Sequence, residues 1–324
     1  MPLTDEQFAA WVAERTQAVE ERLRTAVHTP YAFAETVARY LIDAGGKMYR
    51  PALAIAAAGL GTPADRDDAG LTDAATVVEL THVASLYHDD VMDEADRRRG
   101  LPSVHVRWDN SVAILTGDFM LAQASLLGAR LGEAFMTSQA GTLSRLVQGQ
   151  IAELRGPEPG ADPVAHHLAV VANKTAALIA AAARYGGMFA GLGSDAVAAL
   201  AAYGQALGMA FQLADDLMDI ASEDSGKACG TDLREGVPTL ATLLVRDHPR
   251  PADGRLVELL SAPVSEADLP EALGLLRVHP ALDEARAEIR RWAGEAATYL
   301  TDFADGPAKR TLTELAEQAV GRTA

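Results

Sequence analysis

Apolar residues return at every third or fourth position along almost the whole chain, which is the spacing of one helix face. Phe8, Trp11 and Val12 open the first such run, which continues to about residue 27 and is interrupted by Pro30. Thr4 stands where an N-cap belongs, with Asp5 and Glu6 well placed in the opening turn. A second run through Val37, Tyr40, Leu41 and Ile42 stops at Gly45-Gly46, a strong C-terminal signal. The next helix begins near Arg50-Pro51, with proline at its favoured early position. After a polar turn at residues 62–68, a long apolar helix runs from about Asp73 into residues 89–93. Further helices are predicted at about 104–108, 111–130, 133–153, 164–184, 194–221 and 237–247. Gly156-Pro157-Glu158-Pro159-Gly160 reads as a helix–helix connector, too short and Pro-rich for a domain linker. Beyond Pro249-Arg250-Pro251, amphipathic helices are predicted near 254–261, 266–277, 281–304 and 307–321. No segment sustains a period-two alternation. The pattern predicts an all-α protein, with residues 1–324 forming one domain.

Composition refines this picture. Apolar residues make up 49% of the chain but aromatics only 5%, so the core must be closed by Ala, Leu and Val at close helix spacing. A net charge of −17 argues against nucleic acid as a partner. Most acidic side chains belong to a solvated surface. The basic residues gather in islands, Arg97-Arg98-Arg99 in one place and Lys47 with Arg50 just after Gly45-Gly46, which suggests small anionic ligands held locally. Cys229 is the sole cysteine, which excludes an intramolecular disulfide and a cysteine-based zinc site. The N-terminus lacks the basic and apolar stretches of a signal peptide. The longest apolar run, about Thr175 to Gly193, is broken by Arg184 and reads as a buried helix rather than a transmembrane segment. A soluble, cytoplasmic protein is the expectation.

Two acidic clusters carry the chemistry. Asp89-Asp90-Val91-Met92-Asp93 and Asp215-Asp216-Leu217-Met218-Asp219 each follow an apolar, helix-like run. On a helix, the first and third aspartates of each share a face. Three carboxylates in one turn repel one another unless a cation sits among them, and hard oxygen ligands suit Mg²⁺, which keeps waters and bridges protein to substrate phosphates. Neither cluster has the alternating ligands and turn glycine of an EF-hand.

The chain resembles the trans-polyprenyl diphosphate synthases from about Gly45 to Thr242. The matching stretches are Gly45-Gly46-Lys47 with Arg50-Pro51, His82-Val83-Ala84-Ser85-Leu86, and His88 to Asp93 followed by Arg98-Arg99-Gly100. Later come Gly117-Asp118, Lys174-Thr175, Phe211-Gln212 with the second cluster, Gly226-Lys227, Gly230, Asp232-Leu233 and Thr239-Leu240. The resemblance implies a helical bundle around a central cavity. It further implies that isopentenyl diphosphate is condensed there with an allylic prenyl diphosphate, assisted by several Mg²⁺ ions per active site, and that the protein is a homodimer. Asp89, Asp93 and Asp215 would hold the metal on the allylic diphosphate, with Asp90, Asp216 and Asp219 as direct or water-mediated support. Arg98 would assist that diphosphate, and Lys174 and Lys227 would reach it from the other side. Lys47, Arg50, His82 and Arg99 would hold the diphosphate of isopentenyl diphosphate. Thr175 and Gln212 would aim oxygen dipoles at the allylic cation, and the released diphosphate would take the final proton. His88 reads as support for Asp89, and His166 and His167 as exposed helix residues.

Two positions depart from the family. Met48 stands where many relatives carry a base, and Val237 where many have lysine. Product length in this family depends on bulk one turn before the first aspartate, and here Ala84 and Ser85 are both small. Thr81 and Val78, further along, are also modest. A product longer than fifteen carbons is expected, with a medium- or long-chain polyprenyl diphosphate ahead of geranylgeranyl or farnesyl diphosphate. A terpene cyclase would replace the second cluster with an Asn/Ser/Glu motif and would not need Lys47, Arg50 and His82. A non-catalytic chain-length subunit would lose acidic clusters, and this chain keeps both.

Overall fold

Helices form where the apolar spacing puts them, and local chemistry sets their ends. The computed structural model describes residues 3–221, 229–247 and 249–322. Thr4 caps α1 (Asp5–Ala26): its hydroxyl accepts from the Gln7 amide at 3.3 Å while the Gln7 side chain accepts from the Thr4 amide at 3.0 Å. α2 (Ala32–Asp43) gives way to Gly45, whose φ of +80° takes the left-handed turn that ends a helix. α3 (Tyr49–Ala58) follows, with Pro51 in its first turn. α4 (Asp68–Met92) starts earlier than the apolar run implied, because Asp67 accepts from the Gly70 amide at 2.9 Å and caps it there.

Two short strands, β1 (Arg97–Arg98) and β2 (Leu101–Pro102), pair antiparallel. At two residues each they are below what an alternation pattern can reveal. α5 (Val104–Arg107), α6 (Asn110–Gly128) and α7 (Glu133–Arg155) come next. The run predicted at 164–184 is α8 (Pro163–Val171) and α9 (Ala177–Phe189), joined by one π-helical turn at Ala172–Ala176. α10 (Ser194–Ala221) fills its predicted span. The helix expected at 237–247 is α12 (Leu240–Asp247), which starts three residues later, and a short helix that was not predicted, α11 (Thr231–Glu235), precedes it, with Gly236 at φ +72° between them. α13 (Gly254–Leu259), α14 (Leu269–Arg277), α15 (Pro280–Thr298) and α16 (Pro307–Gly321) complete the described chain.

Two compact units are distinguishable: Met1–Leu143 with Ala181–Ala201 and Phe303–Leu312, and Ser144–Ala180 with Ala202–Asp302 and Thr313–Ala324. In the first, α4 packs most extensively on α6 and also on α1 and α3. Val77, Val78, Leu80, Val83 and Ala84 of α4 are all buried, as suits a helix enclosed on most sides. Small residues let the helices close up. A Cβ on Gly186 would lie 2.2 Å from the Ala54 carbonyl oxygen, so only glycine fits there. In the second unit, α12 packs on α8 and α15 over a Leu/Ala/Val core. A smaller cluster of Val171, Ala176 and Met209, with Trp292 of α15 packed against it, lies at the two ends of the π-turn.

Among the described residues three segments, Asn110–Leu131, Pro163–Phe189 and Ser194–Ala221, are long and apolar enough to cross a membrane by length and composition, whereas the sequence reading expected none.

Candidate active site

The first acidic cluster occupies the last turn of α4 and the residue after it. Asp89 is half-buried and Asp93, at the C-cap, is exposed, so these two carboxylates reach toward solvent from one face. Asp90 turns the other way. It is fully buried, and Arg98 of β1 donates to its Oδ1 at 2.7 Å. Its Oδ2 is buried without a hydrogen-bond partner, and burial raises its carboxyl above the usual range despite Arg98. Asp90 therefore stands as a strut that fixes Arg98, while Asp89 and Asp93 face outward. His88 faces α6, 3.1 Å from the Ile114 carbonyl oxygen and 3.4 Å from Asp118 Oδ1. Gly117 makes room for it, since a Cβ there would lie 2.3 Å from His88 Nε2.

The basic residues of the same unit gather two turns back along α4. Seven residues separate His82 from Asp89, about 10 Å of helix. Arg99 adopts φ +52° and donates to the Leu41 carbonyl oxygen, with Nη2 3.8 Å from Glu79 Oε1. Gly46 admits this guanidinium, because a Cβ there would meet Arg99 Nη2 at 2.9 Å. Arg50 is half-buried with its Nε shielded from solvent, and burial and the nearby Arg99 lower its pKa while Glu79 opposes them. His82 is held well below the ordinary imidazole range by burial and then by Arg50, Arg99 and Arg98. It is thus a neutral hydrogen-bonding group beside cations. Lys47 is exposed, and Arg97, also exposed, donates to the Gly100 carbonyl oxygen. Met48, between Lys47 and the start of α3, is buried with φ +48°.

The second cluster lies on α10 in the other unit. Asp215 is exposed, and Arg322 donates to its Oδ1 at 3.3 Å while lying 5.2 Å from the Phe211 ring. Gln212 donates to Asp216 Oδ1 at 2.8 Å and accepts from the Thr175 hydroxyl at 2.9 Å. Asp219 accepts from the Asp232 amide at 3.0 Å. Burial first, then the Asp215, Glu153 and Asp219 carboxylates, push Asp216 up to about 7. Burial and the neighbouring carboxylates likewise push Asp232 up to about 8. Lys174 pairs with Glu153 of α7. Both Lys174 and Thr175 sit in the π-turn, which α7 and α10 approach closely at two glycines. A Cβ on Gly149 would lie 2.5 Å from the Lys174 amide nitrogen, and one on Gly208 2.6 Å from Ala176 Cα. Lys227 lies outside the described residues.

His167 corrects an expectation. It is buried, not exposed, with Nε2 3.7 Å from Asp216 Oδ2, and burial lowers it to about 4. The α8 register puts it inward, whereas His166 reaches the Ala152 carbonyl oxygen at 3.1 Å. His167 and Val237 line a cavity of about 370 Å³ in this unit. In the first unit Ala84 is buried, and the Ser85 hydroxyl donates to the His82 carbonyl oxygen at 2.9 Å. One turn deeper, Gln139 donates to Thr81 Oγ1 at 2.8 Å and accepts from the Tyr185 hydroxyl at 3.1 Å, all three buried.

The profile of the polyprenyl synthetase family matches residues 32–276. The chain is a member of the polyprenyl synthetase family. The nonaprenyl diphosphate synthase of Mycobacterium tuberculosis is 42% identical to this family member over 323 residues, covering 99% of this chain and 96% of the relative. Among solved structures, geranylgeranyl pyrophosphate synthase from Corynebacterium glutamicum, complexed with calcium and isoprenyl diphosphate, superposes with a TM-score of 0.88 at 38% identity over 97% of each chain. A decaprenyl diphosphate synthase from Rhodobacter capsulatus gives 0.86 at 32% identity over 99% of each.

The acidic residues of this polyprenyl synthetase fit a hard divalent cation. Asp89 and Asp93, and Asp215 and Asp219, are pairs of oxygen donors four residues apart. Burial first and then repulsion from neighbouring carboxylates raise Asp216 and Asp232, and a cation would relieve the repulsion. Among the described residues no three acidic, histidine or cysteine side chains form a ready-made cage. Mg²⁺ needs none, since it is usually held by one or two carboxylates with phosphate and water. Several residues of this environment escaped the sequence reading: Glu79, Glu153, Asp232 and Arg322. Asp232 lay inside a matching stretch without a role, and Glu79 precedes His82 by one helical turn, a spacing that could have drawn notice.

Proposed function

We propose that this protein is a trans-prenyltransferase that condenses isopentenyl diphosphate with an allylic prenyl diphosphate, by ionisation, condensation and elimination. The observation that carries this reading is the sequence of groups along α4. A basic cluster around His82 is followed, two turns on, by outward-facing Asp89 and Asp93. A cationic pocket for one diphosphate thus precedes an acidic metal-holding group for another. Bound Mg²⁺ would neutralise charge on the departing diphosphate, held by Asp89, Asp93 and Asp215, with Asp219 and Asp216 in support. Arg98, anchored by Asp90, and Lys174 and Lys227 hold that diphosphate. Arg50, Arg99, Lys47 and His82 orient isopentenyl diphosphate, arginine forks meeting phosphate oxygens bidentately. Thr175 and Gln212, already hydrogen-bonded to each other, present oxygen dipoles to the allylic cation. The released diphosphate takes the final proton. The whole chain acts as one polyprenyl synthase domain, consistent with a family match that draws residues from both units.

Small Ala84 and Ser85 support a product longer than fifteen carbons, as does likeness to a nonaprenyl synthase. A geranylgeranyl product is the second reading, favoured by the buried Thr81–Gln139–Tyr185 chain one turn below Ser85. Incubation with farnesyl and isopentenyl diphosphates and Mg²⁺, with sizing of the products, decides between them. Elongation that ends at twenty carbons refutes the long-chain reading, and absence of any elongation refutes the prenyltransferase itself. We also infer a homodimer joined through α6, where Ile114, Leu115 and Leu126 are 43%, 67% and 63% exposed. A monomeric mass by light scattering would overturn that.

A further inference from the structure

Arg50, Arg99 and His82 share a small region of the first unit; burial lowers both guanidiniums, with Arg99 adding to the effect on Arg50 and Arg98 to that on Arg99. Such a set needs something to hold it before an anion arrives. Glu79 is that group. It is 3% exposed, lies on α4 one turn before His82, and places Oε1 3.8 Å from Arg99 Nη2. Its charge also acts on Arg50, whose Nε is buried without a hydrogen-bond partner among the described residues. A carboxylate is costly to bury, and this one lies 3.8 Å from one cation of the basic group and feels the charge of a second, Arg50.

We propose that Glu79 is the positioning residue of the isopentenyl diphosphate pocket, its carboxylate holding the Arg50 and Arg99 guanidiniums with their outer N–H groups turned to the substrate. This rests on the prenyltransferase reading above. Glu79 does not touch substrate, and its contribution is the placement of the two forks. Two physical effects of removing its charge have opposite signs, which makes the idea testable. By Coulomb's law alone, deleting an anion next to an anion site tightens diphosphate binding. Loss of positioning loosens it.

Steady-state kinetics on the full chain with Mg²⁺ and farnesyl diphosphate separate the two. Glu79→Gln, nearly the same shape without the charge, should raise KM for isopentenyl diphosphate about tenfold. KM for the allylic substrate and kcat should stay within about threefold. Glu79→Asp keeps the charge on a shorter arm and should fall between wild type and Glu79→Gln. It decides the matter alone if the glutamine variant does not fold. An unchanged or lowered KM for isopentenyl diphosphate overturns the proposal, as does an equal rise in both KM values. A wild-type chain that never consumes isopentenyl diphosphate defeats the prenyltransferase reading, a result distinct from either of these.

Discussion

Gly141 and Gly149 stand in the same helix, α7, and replacing each by alanine should have opposite consequences. At Gly141 a Cβ meets nothing within 4 Å. Alanine there removes backbone freedom from the unfolded chain and should stabilise by about 0.5–1 kcal/mol. At Gly149 the same atom would lie 2.5 Å from the Lys174 amide nitrogen and 3.0 Å from the Asn173 carbonyl carbon. Both are backbone atoms of the π-turn, so no rotamer change relieves the clash. Restoring ordinary carbon contact near 3.5 Å moves the turn by roughly 1 Å. Overpacking of this kind costs about 1–3 kcal/mol, offset by about 1 kcal/mol of helix propensity, for a net loss of about 0–2 kcal/mol. The effect on activity should be larger, because Lys174 and Thr175 travel with the turn and a 1 Å misplacement can cost roughly 10²-fold. Thermal melts paired with isopentenyl diphosphate incorporation rates read both quantities. Gly149→Ala with near wild-type rate and raised melting temperature would refute the view that close approach at Gly149 sets the position of Lys174 and Thr175.

Further outcomes follow from the same structure. Asp89→Ala or Asp215→Ala should each lower kcat by at least ~10²-fold, about 3 kcal/mol, the scale of one organised electrostatic element; a variant near full rate is not a metal ligand. Asp216 and Asp232 have folded-state values of about 7 and about 8, above the ordinary carboxylate. Their contribution to stability is therefore full below the unfolded value, about 4, and lost as pH rises through the folded ones. Without Mg²⁺ the melting temperature should thus decline from pH 5 to pH 8 and Mg²⁺ should flatten the decline, whereas a rise over that window contradicts the assignment. Arg322→Ala frees Asp215 from a partly exposed ion pair worth about 0–1 kcal/mol, so half-saturation by Mg²⁺ should fall up to about fivefold. An unchanged or raised half-saturation value counts against competition at Asp215.

Much of the fold was legible because the apolar spacing and the terminal signals agree. Thr4, Gly45 and Pro51 each end or begin a helix as their chemistry predicts. The π-turn was not legible, because one extra residue in a turn leaves the surrounding apolar run almost unchanged. The short α11 was not legible, because it runs for only five residues before Gly236 in the left-handed region ends it. In the site, residue types and spacing identified both acidic clusters and the basic islands. They could not reveal that Asp90 faces inward to Arg98, since three aspartates in one turn look alike in sequence. Nor could they find Glu153 or Arg322, whose roles come from partners 21 and 107 residues away. Burial of His167 was hidden by the neighbouring His166, an identical side chain that is only half-buried although both line the same cavity.

Trp292 gives the second unit a natural optical reporter. It packs, partly buried, against Val171, Ala176 and Met209, next to the turn that carries Lys174 and Thr175. The other two tryptophans, Trp11 and Trp108, belong to the first unit. With those two changed to phenylalanine, the emission of a single indole would follow the surroundings of the π-turn as ligand arrives, in unlabelled protein and on the millisecond scale of stopped flow.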